Sequence, residues 1–119
     1  MSRAPASSSA TPQVRRGDIW WVDFDPARGG EIQKQRPAMV LTADGLNRAR
    51  RTVVVVPLST GPAPRPPIVV PTPSAGVGSV AVCDQLRAVD KSRLTSQVGR
   101  LAVADIRAVE HGVRTVLGL

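Results

Sequence analysis

Hydrophobic and polar residues alternate along several short stretches of the chain, a pattern typical of β-strands. From Asp18 to Phe24 the residues Ile19, Trp21 and Asp23 share one face and Trp20, Val22 and Phe24 share the other, which predicts a strand. Val53 to Val56 is an unbroken β-branched run, which predicts a central strand buried on both faces. Further strands are predicted at 38–41, 68–70, 80–89 (one long strand) and near Val98.

The period changes toward the C-terminus, where apolar residues recur every three to four positions. From Ala102 to Leu117 this spacing predicts an amphipathic helix with one apolar stripe; the stripe is Val103, Ile106, Val109, Val113 and Val116. A helical turn or an Ω-like connection is predicted at 44–51, and a helical turn at 91–94. The pattern as a whole predicts a mainly β domain of antiparallel strands with one packed C-terminal helix.

The chain has 119 residues, room for a single domain. Residues 1–14 are rich in Ser, Ala and Pro, and we expect them to form a disordered tail before a domain at 15–119. No apolar run is long enough for a transmembrane helix, and the N-terminus lacks the apolar stretch of a secretory signal. With a single cysteine, Cys83, the sequence predicts a cytoplasmic protein.

Basic residues outnumber acidic ones by 16 to 9, a formal net charge of +7. A positive field of this size attracts polyanions such as RNA, DNA or an acidic protein segment. A bias of composition toward arginine is the alternative explanation, since arginine accounts for all but two of the basic residues. Arginine nevertheless suits phosphate, which it binds with two parallel hydrogen bonds.

Several kinds of active site are excluded by counting. His111 is the only histidine, so one chain holds no pair of histidines for acid–base catalysis, and Cys83 with His111 is not a zinc ligand set. Asp23 and Asp25 would suit Mg²⁺, but an aspartate before Pro26 more often bonds the backbone of a turn. We therefore predict no metal and no cofactor, a buried structural Cys83 and a solvated His111.

A metal-free site for RNA cleavage needs few groups, because the 2′-hydroxyl of RNA is itself the nucleophile. Arg36 would stabilise the phosphate, Glu31 would move a proton or hold the arginine, and Ser59 or Thr60 would orient phosphate oxygens. The alternatives are that Arg36 forms a surface ion pair, that Glu31 is solvated, and that Ser59 and Thr60 belong to an ordinary turn at the end of a strand. We expect antiparallel pairing of the two strands to place Arg36 and Ser59 at opposite ends, so that their adjacency would require sheet curvature or parallel pairing.

Four ordered segments of the chain resemble the MazF/PemK family of toxin endoribonucleases. They are GDIWWVDFDP, the G-x-E then R-P spacing, the strand ending VVPLST, and SVAVCDQLRAVDKSRL. The resemblance covers residues 15–119. It implies a small barrel-like antiparallel sheet of SH3-like or PemK type, a homodimer, and metal-independent cleavage of single-stranded RNA at short sequence motifs.

The resemblance also implies roles for individual residues. Arg36 and Glu31 match the catalytic arginine and the loop glutamate, and Ser59 stands at the catalytic threonine. Substrate contacts are implied for Gly30, Thr60 and Gln85. Serine lacks the β-methyl group that stiffens threonine, which predicts a weaker or differently tuned site.

A toxin of this kind implies a partner, an antitoxin whose acidic, disordered segment folds into the basic groove. Two alternatives differ from a nuclease. The same fold is used by non-enzymatic toxins that dock a C-terminal helix on a protein target such as DNA gyrase. The second alternative is that the chain is a degenerate relative that binds RNA without cleaving it.

Overall fold

The structure is a computed structural model, which describes residues 13–32 and 34–119. Of the tail predicted at 1–14, residues 1–12 lie outside the described residues. Val14 is buried and packs against the strands. No helix in the described ranges is long and apolar enough to cross a membrane.

Residues 13–32 and 34–119 form seven strands and two helices. The strands are β1 (Asp18–Asp23), β2 (Gln35–Val40), β3 (Thr52–Ser59), β4 (Val69–Pro71), β5 (Val80–Val82), β6 (Arg87–Asp90) and β7 (Leu94–Arg100). The helices are α1 (Asp44–Ala49) and α2 (Val103–Leu117), and single 3₁₀ turns lie at Pro73–Ala75, Cys83–Gln85 and Lys91–Arg93. All strand pairs are antiparallel. The prediction of an antiparallel β domain with a C-terminal helix is confirmed.

The β-branched strand β3 lies at the centre of the sheet, as predicted. The strand order is β4-β5-β3-β2-β1-β7, and β6 also pairs with β3. The 3₁₀ turn Lys91–Arg93 alone joins β6 to β7, although β6 pairs with β3 and β7 with β1. The sheet must therefore curve so that β6 and β7 approach each other, which gives it a barrel-like form.

The prediction of one long strand from Val80 to Val89 is wrong. The segment forms β5 and β6, which both pair with β3 and are separated by the 3₁₀ turn Cys83–Gln85. The backbone N–H of Cys83 donates to the carbonyl of Ile68 at 2.7 Å, which draws the turn toward the segment before β4. The strand near Val98 is longer than predicted, because β7 runs for seven residues along β1 and five of them are paired with it.

Buried side chains form two clusters on opposite faces of the strands, as the alternation in β1 predicts. The helix-side cluster lies between the sheet and α2 and comprises Ile19, Met39, Val56, Leu58, Val70, Ala81, Cys83, Leu101, Ile106, Val109 and Val113. The strand-side cluster comprises Val14, Trp20, Val22, Phe24, Ala38, Val40, Val53, Val55, Val89 and Leu94. Helix α2 thus covers one face, and the curved strands enclose the other.

Candidate active site

Arg36 and Ser59 lie at the same end of two neighbouring strands. β2 and β3 pair antiparallel with Ala38 opposite Pro57, and the same register continued by two residues sets Arg36 opposite Ser59. In an antiparallel pair the start of one strand faces the end of the other. The expectation that this pairing would separate the two groups was therefore wrong.

Both side chains belong to the face that carries the strand-side cluster. Arg36 is paired with Val22, a member of that cluster, and residues at opposite positions of an antiparallel pair project from the same face. Val22, Arg36 and Ser59 form one row across the three strands. On the same face, Pro57 lies two residues before Ser59 on one side of this row, and Phe24 lies two residues after Val22 on the other side. Arg36 is exposed to solvent, so its guanidinium is accessible to a ligand.

The two hydroxyl residues at the end of β3 differ in their surroundings. The Oγ atom of Ser59 accepts a hydrogen bond from the backbone N–H of Gly61 at 3.3 Å, and a hydroxyl that accepts one bond still has its proton to donate. Thr60 follows the last residue of β3 and is exposed. Strand alternation places Thr60 on the face opposite to that of Ser59.

Glu31 lies in the loop between β1 and β2, within a tight turn. Its Oε1 atom accepts from the backbone N–H of Arg28 at 2.6 Å, while its own N–H donates to the carbonyl of Arg28 at 3.0 Å. These two bonds hold the carboxylate to the loop backbone, although the residue is exposed. Glu31 is therefore positioned by the loop.

The base of this loop is closed by backbone hydrogen bonds. The carbonyl of Lys34 accepts from the N–H of Phe24 at 2.9 Å, and the N–H of Lys34 donates to Asp25 Oδ1 at 2.8 Å. Lys34 has φ 65°, a left-handed conformation that is uncommon outside glycine. Asp23 Oδ1 accepts from the N–H of Asp25, so both aspartates bond to backbone amides of this loop.

Gln85 connects the loop to the 3₁₀ turn Cys83–Gln85. Its Nε2 atom donates to the carbonyl of Gly30 at 3.3 Å, and its Oε1 atom accepts from the N–H of Ile32 at 3.4 Å. The amide thus binds the backbone on both sides of Glu31. Three residues selected from the sequence, Gly30, Glu31 and Gln85, are brought together in this way.

Arg87 and Arg93 were not predicted as part of this region, yet both hold the loop in place. Arg87 Nη1 donates to the carbonyl of Phe24 at 3.4 Å, and its guanidinium lies 5.6 Å from the centroid of the Phe24 ring. Arg93 Nη1 donates to the carbonyls of Asp23 and Asp25. Both arginines belong to the segment SVAVCDQLRAVDKSRL, whose Q-x-R and R-L steps were the sequence signal for them.

A cleft of about 290 Å³ opens where the loop meets the sheet. It is lined by Phe24, Glu31, Ile32, Pro57, Asp84, Gln85, Leu86 and Arg87. Because Phe24 and Pro57 flank the row that contains Arg36 and Ser59, the cleft adjoins that row. An anionic ligand in the cleft would meet Arg87 on one side and Arg36 at its border.

Two other candidates lie away from this chemistry. Cys83 is fully buried, and burial together with the charge of Asp84 raises the pKa of its thiol to about 11, so it is a structural thiol as predicted. His111 is exposed on α2, also as predicted. Within 13–32 and 34–119, no three His, Cys, Asp or Glu side chains are grouped to hold a metal ion.

Comparisons with known proteins agree on one family. Residues 15–117 match the family model described as PemK-like, MazF-like toxin of type II toxin-antitoxin system. The chain is 33% identical over 115 residues to endoribonuclease MazF9 of Mycobacterium tuberculosis, with 89% of this chain and 98% of the relative covered. It is also 33% identical over 109 residues to endoribonuclease PemK of Escherichia coli, with 87% and 82% covered.

Solved structures show the same fold. MazF from Deinococcus radiodurans superposes with a TM-score of 0.78 at 24% identity, covering 91% of this chain and 99% of that one. A MazE-MazF structure from the same organism gives a TM-score of 0.74 at 26% identity, with the same coverage. These similarities extend over nearly the whole described part of the chain.

Proposed function

The chain belongs to the PemK-like, MazF-like toxin family of type II toxin–antitoxin systems, and on this premise we propose that it is a sequence-specific endoribonuclease that cleaves single-stranded RNA. One observation carries the proposal. Arg36 and Ser59 share one face and one end of β2 and β3, beside a cleft whose rim holds Glu31. The endoribonuclease names of the relatives favour this activity over gyrase binding or RNA binding without turnover.

The reaction we propose uses the RNA as its own nucleophile. The 2′-oxygen attacks the adjacent phosphorus, the bond from phosphorus to the 5′-oxygen breaks, and the products are a 2′,3′-cyclic phosphate and a 5′-hydroxyl. One proton leaves the 2′-hydroxyl and one reaches the leaving oxygen. Arg36 would stabilise the additional negative charge of the five-coordinate transition state, which electrostatic groups in a fixed position do most effectively.

Ser59 and Glu31 would complete the site. The Ser59 hydroxyl retains a proton to donate to a non-bridging phosphate oxygen. The Glu31 carboxylate would accept the proton of the 2′-hydroxyl or orient Arg36, and such acid–base assistance contributes typically about 10²–10⁴-fold in rate. Since the guanidinium supplies the positive charge, we propose that the reaction needs no metal ion.

Substrate contacts are proposed for Gly30, Thr60 and Gln85. The two hydrogen bonds of Gln85 to the loop, at 3.3 and 3.4 Å, are longer than the usual N–H···O distance of roughly 2.7–3.2 Å and are therefore weak. The polar edge of an unpaired base can replace such bonds at small cost. Gln85 would then hold the loop closed in the free protein and bind a base in the complex, as expected for a protein that reads single-stranded RNA.

The family and a MazE-MazF relative support further proposals about assembly. We propose that the chain works as a homodimer in the cytoplasm and is inhibited by a cognate antitoxin. Its net charge of +7 suits an acidic, disordered inhibitor segment as well as RNA.

The test is cleavage of single-stranded RNA by the purified protein in EDTA. We expect a limited set of fragments with defined 5′ ends, and complete loss of cleavage for Arg36→Ala. Thermal unfolding of the variant would show that it retains its fold, since Arg36 is exposed. RNA that stays intact with the unaltered protein, or cleavage that survives Arg36→Ala, contradicts the proposal.

A further inference from the structure

The outward face of α2 carries three exposed cationic or potentially cationic groups, beside the exposed Val103 in its first turn. The side of the helix that packs on the sheet includes Val109 and Gly112, both buried. At about 100° per residue, the opposite side of an α-helix falls at Arg107, His111 and Arg114, and all three are exposed. These three residues are called the α2 cationic row.

The two acidic residues of α2 are already engaged elsewhere. Asp105 Oδ2 accepts from the backbone N–H of Ser74 at 2.8 Å and from its hydroxyl. Glu110 pairs with Arg16, whose Nε atom is itself fixed to a backbone carbonyl. Charged neighbours three or four residues away commonly compensate each other on a helix. Here Arg107 and Arg114 have no carboxylate within ion-pair distance in the described ranges.

A shallow groove follows this row. It has a volume of about 370 Å³ and is lined by Arg107, Glu110, His111, Arg114, Thr115 and Leu119. Arg107 and Arg114 are two helical turns apart, about 10 Å along the axis. Two guanidinium groups at this spacing suit separate phosphates of one strand, because each binds a phosphate through paired hydrogen bonds.

The row offers no Trp, Tyr or Phe ring on which bases could stack. The chain has two tryptophans and one phenylalanine and no tyrosine. These three, Trp20, Trp21 and Phe24, all belong to β1 or the residue after it. None of these three rings lies on α2, where the one ring is the His111 imidazole, so we expect a contact there to be mainly to the sugar–phosphate backbone, independent of sequence.

The row also lies on the side of the sheet away from the candidate active site. Helix α2 packs on the helix-side cluster, whereas Arg36 and Ser59 belong to the face of the strand-side cluster. The sheet and the thickness of the helix, about 10 Å, separate the two. An RNA confined to the cleft does not cross the helix to the outward row, but a longer one that curves around the protein can reach it.

We propose that the α2 cationic row is a second, sequence-independent contact for the phosphate backbone of single-stranded RNA. The inference rests on the proposed function only in taking RNA as the ligand. The row increases the affinity for long RNA without changing where that RNA is cut. An acidic peptide is a weaker match, since the row offers separate guanidinium groups along a line and no deep apolar pocket.

The test compares binding of two RNAs by fluorescence anisotropy. Both are labelled 2′-O-methyl RNAs, which lack the attacking hydroxyl, of about 6 and about 40 nucleotides, chosen to bracket the site sizes of single-strand binding proteins. The variant is Arg107→Gln/Arg114→Gln. The matched control is Arg48→Gln/Arg50→Gln, which removes the same charge from exposed positions in and after α1.

We expect the α2 double variant to bind the long RNA roughly tenfold more weakly, with a salt slope lower by about 1.4, the value for two lost phosphate contacts. Its affinity for the short RNA should stay within about twofold of the unaltered protein, and the control should lose clearly less affinity for the long RNA. Equal losses for both double variants, equal losses for both RNAs, or no binding of long RNA by the unaltered protein would overturn the proposal. Weakened binding of a poly-glutamate peptide with RNA affinity unchanged would overturn it in favour of a protein partner.

Failure of the proposed nuclease activity is detected separately. Unmodified RNA incubated with the unaltered protein in EDTA reports on cleavage, whereas the anisotropy reports on binding alone. If the unmodified RNA stays intact while the α2 double variant specifically loses affinity for the long RNA, the second contact is supported and the nuclease activity is rejected.

Discussion

The Sγ atom of Cys83 lies 2.8 Å from the point where a side chain at Gly112 would begin. The carbonyl oxygen of Pro67 lies 2.9 Å from the same point. Only a residue without a Cβ lets α2 approach the 3₁₀ turn Cys83–Gln85 this closely. The turn carries Gln85, so this contact also supports the loop beside the active site.

Gly112→Ala is expected to destabilise the protein. A methyl group placed in this contact costs about 1–3 kcal/mol through overpacking, which exceeds the gain of up to about 1 kcal/mol from the higher helix propensity of alanine. The measurement is the free energy of unfolding in urea. Gly45→Ala is the control, since Gly45 lies in α1 with no atom within 4 Å of the point where its side chain would begin, and we expect it to be neutral or stabilising. A stable Gly112→Ala protein would show that the contact is looser than described.

Ser59→Thr is expected to raise the cleavage rate several-fold, and Ser59→Ala to lower it by roughly 10²-fold, as is typical when one transition-state donor is removed. The added β-methyl restricts χ1 and fixes the hydroxyl toward the phosphate. Single-turnover cleavage of one oligonucleotide measures both. Ser96→Ala, which removes an exposed hydroxyl from β7, is the control. Full activity in Ser59→Ala would remove Ser59 from the mechanism.

Gln85→Leu is expected to loosen the loop between β1 and β2. The substitution removes the bonds to Gly30 and Ile32, so the amide of Ile32 should exchange its hydrogen roughly fivefold faster, as for the loss of a bond worth about 1 kcal/mol. KM for RNA should rise more than kcat falls. Gln97→Leu on the exposed part of β7 should change neither quantity. Unchanged exchange at Ile32 would show that Gln85 does not hold the loop.

Cys83 predicts a loss of stability at alkaline pH. Its pKa is raised from 9.0 to about 11 in the folded protein, so the folded state holds the proton more tightly than the unfolded state. The stabilisation is complete below pH 9 and is lost as the pH rises toward 11, by roughly 2–3 kcal/mol in total. Urea unfolding at several pH values measures it. Cys83→Ala should show a flatter profile over this range, and identical profiles would contradict the assignment.

Much of the architecture follows from local pattern. The alternation in β1 correctly separates the two clusters, and the 3.6-residue period correctly gives α2. The break between β5 and β6 does not follow, because the residues around Cys83 alternate like a strand. Its cause is a distant hydrogen bond, from Cys83 to the carbonyl of Ile68. The length of β7 is likewise set by its pairing with β1, since residues 95–98 are exposed and have no apolar face.

The sequence predicted which residues form the candidate site better than it predicted how they are arranged in space. Arg36 and Glu31 stand out by chemical type, but the placement of Arg36 beside Ser59 depends on the register of β2 with β3, which the sequence does not encode locally. The contribution of Arg87 and Arg93 was missed because an arginine in an alternating strand or a short turn usually marks a solvated surface. Only their bonds to carbonyls at the end of β1 and just after it give them a role.

Hydrogen bonds close the base of the loop between β1 and β2, and the side chains of Gln85, Arg87 and Arg93 hold it through further hydrogen bonds from neighbouring elements. Most of these bonds end on its main chain, so the side chains between Ala27 and Ile32, with the exception of Glu31, contribute little to holding the strands in place. Mutation can therefore exchange them one at a time while the scaffold persists. Over evolutionary time, a toxin built this way can acquire a new RNA target motif without having to rebuild its fold.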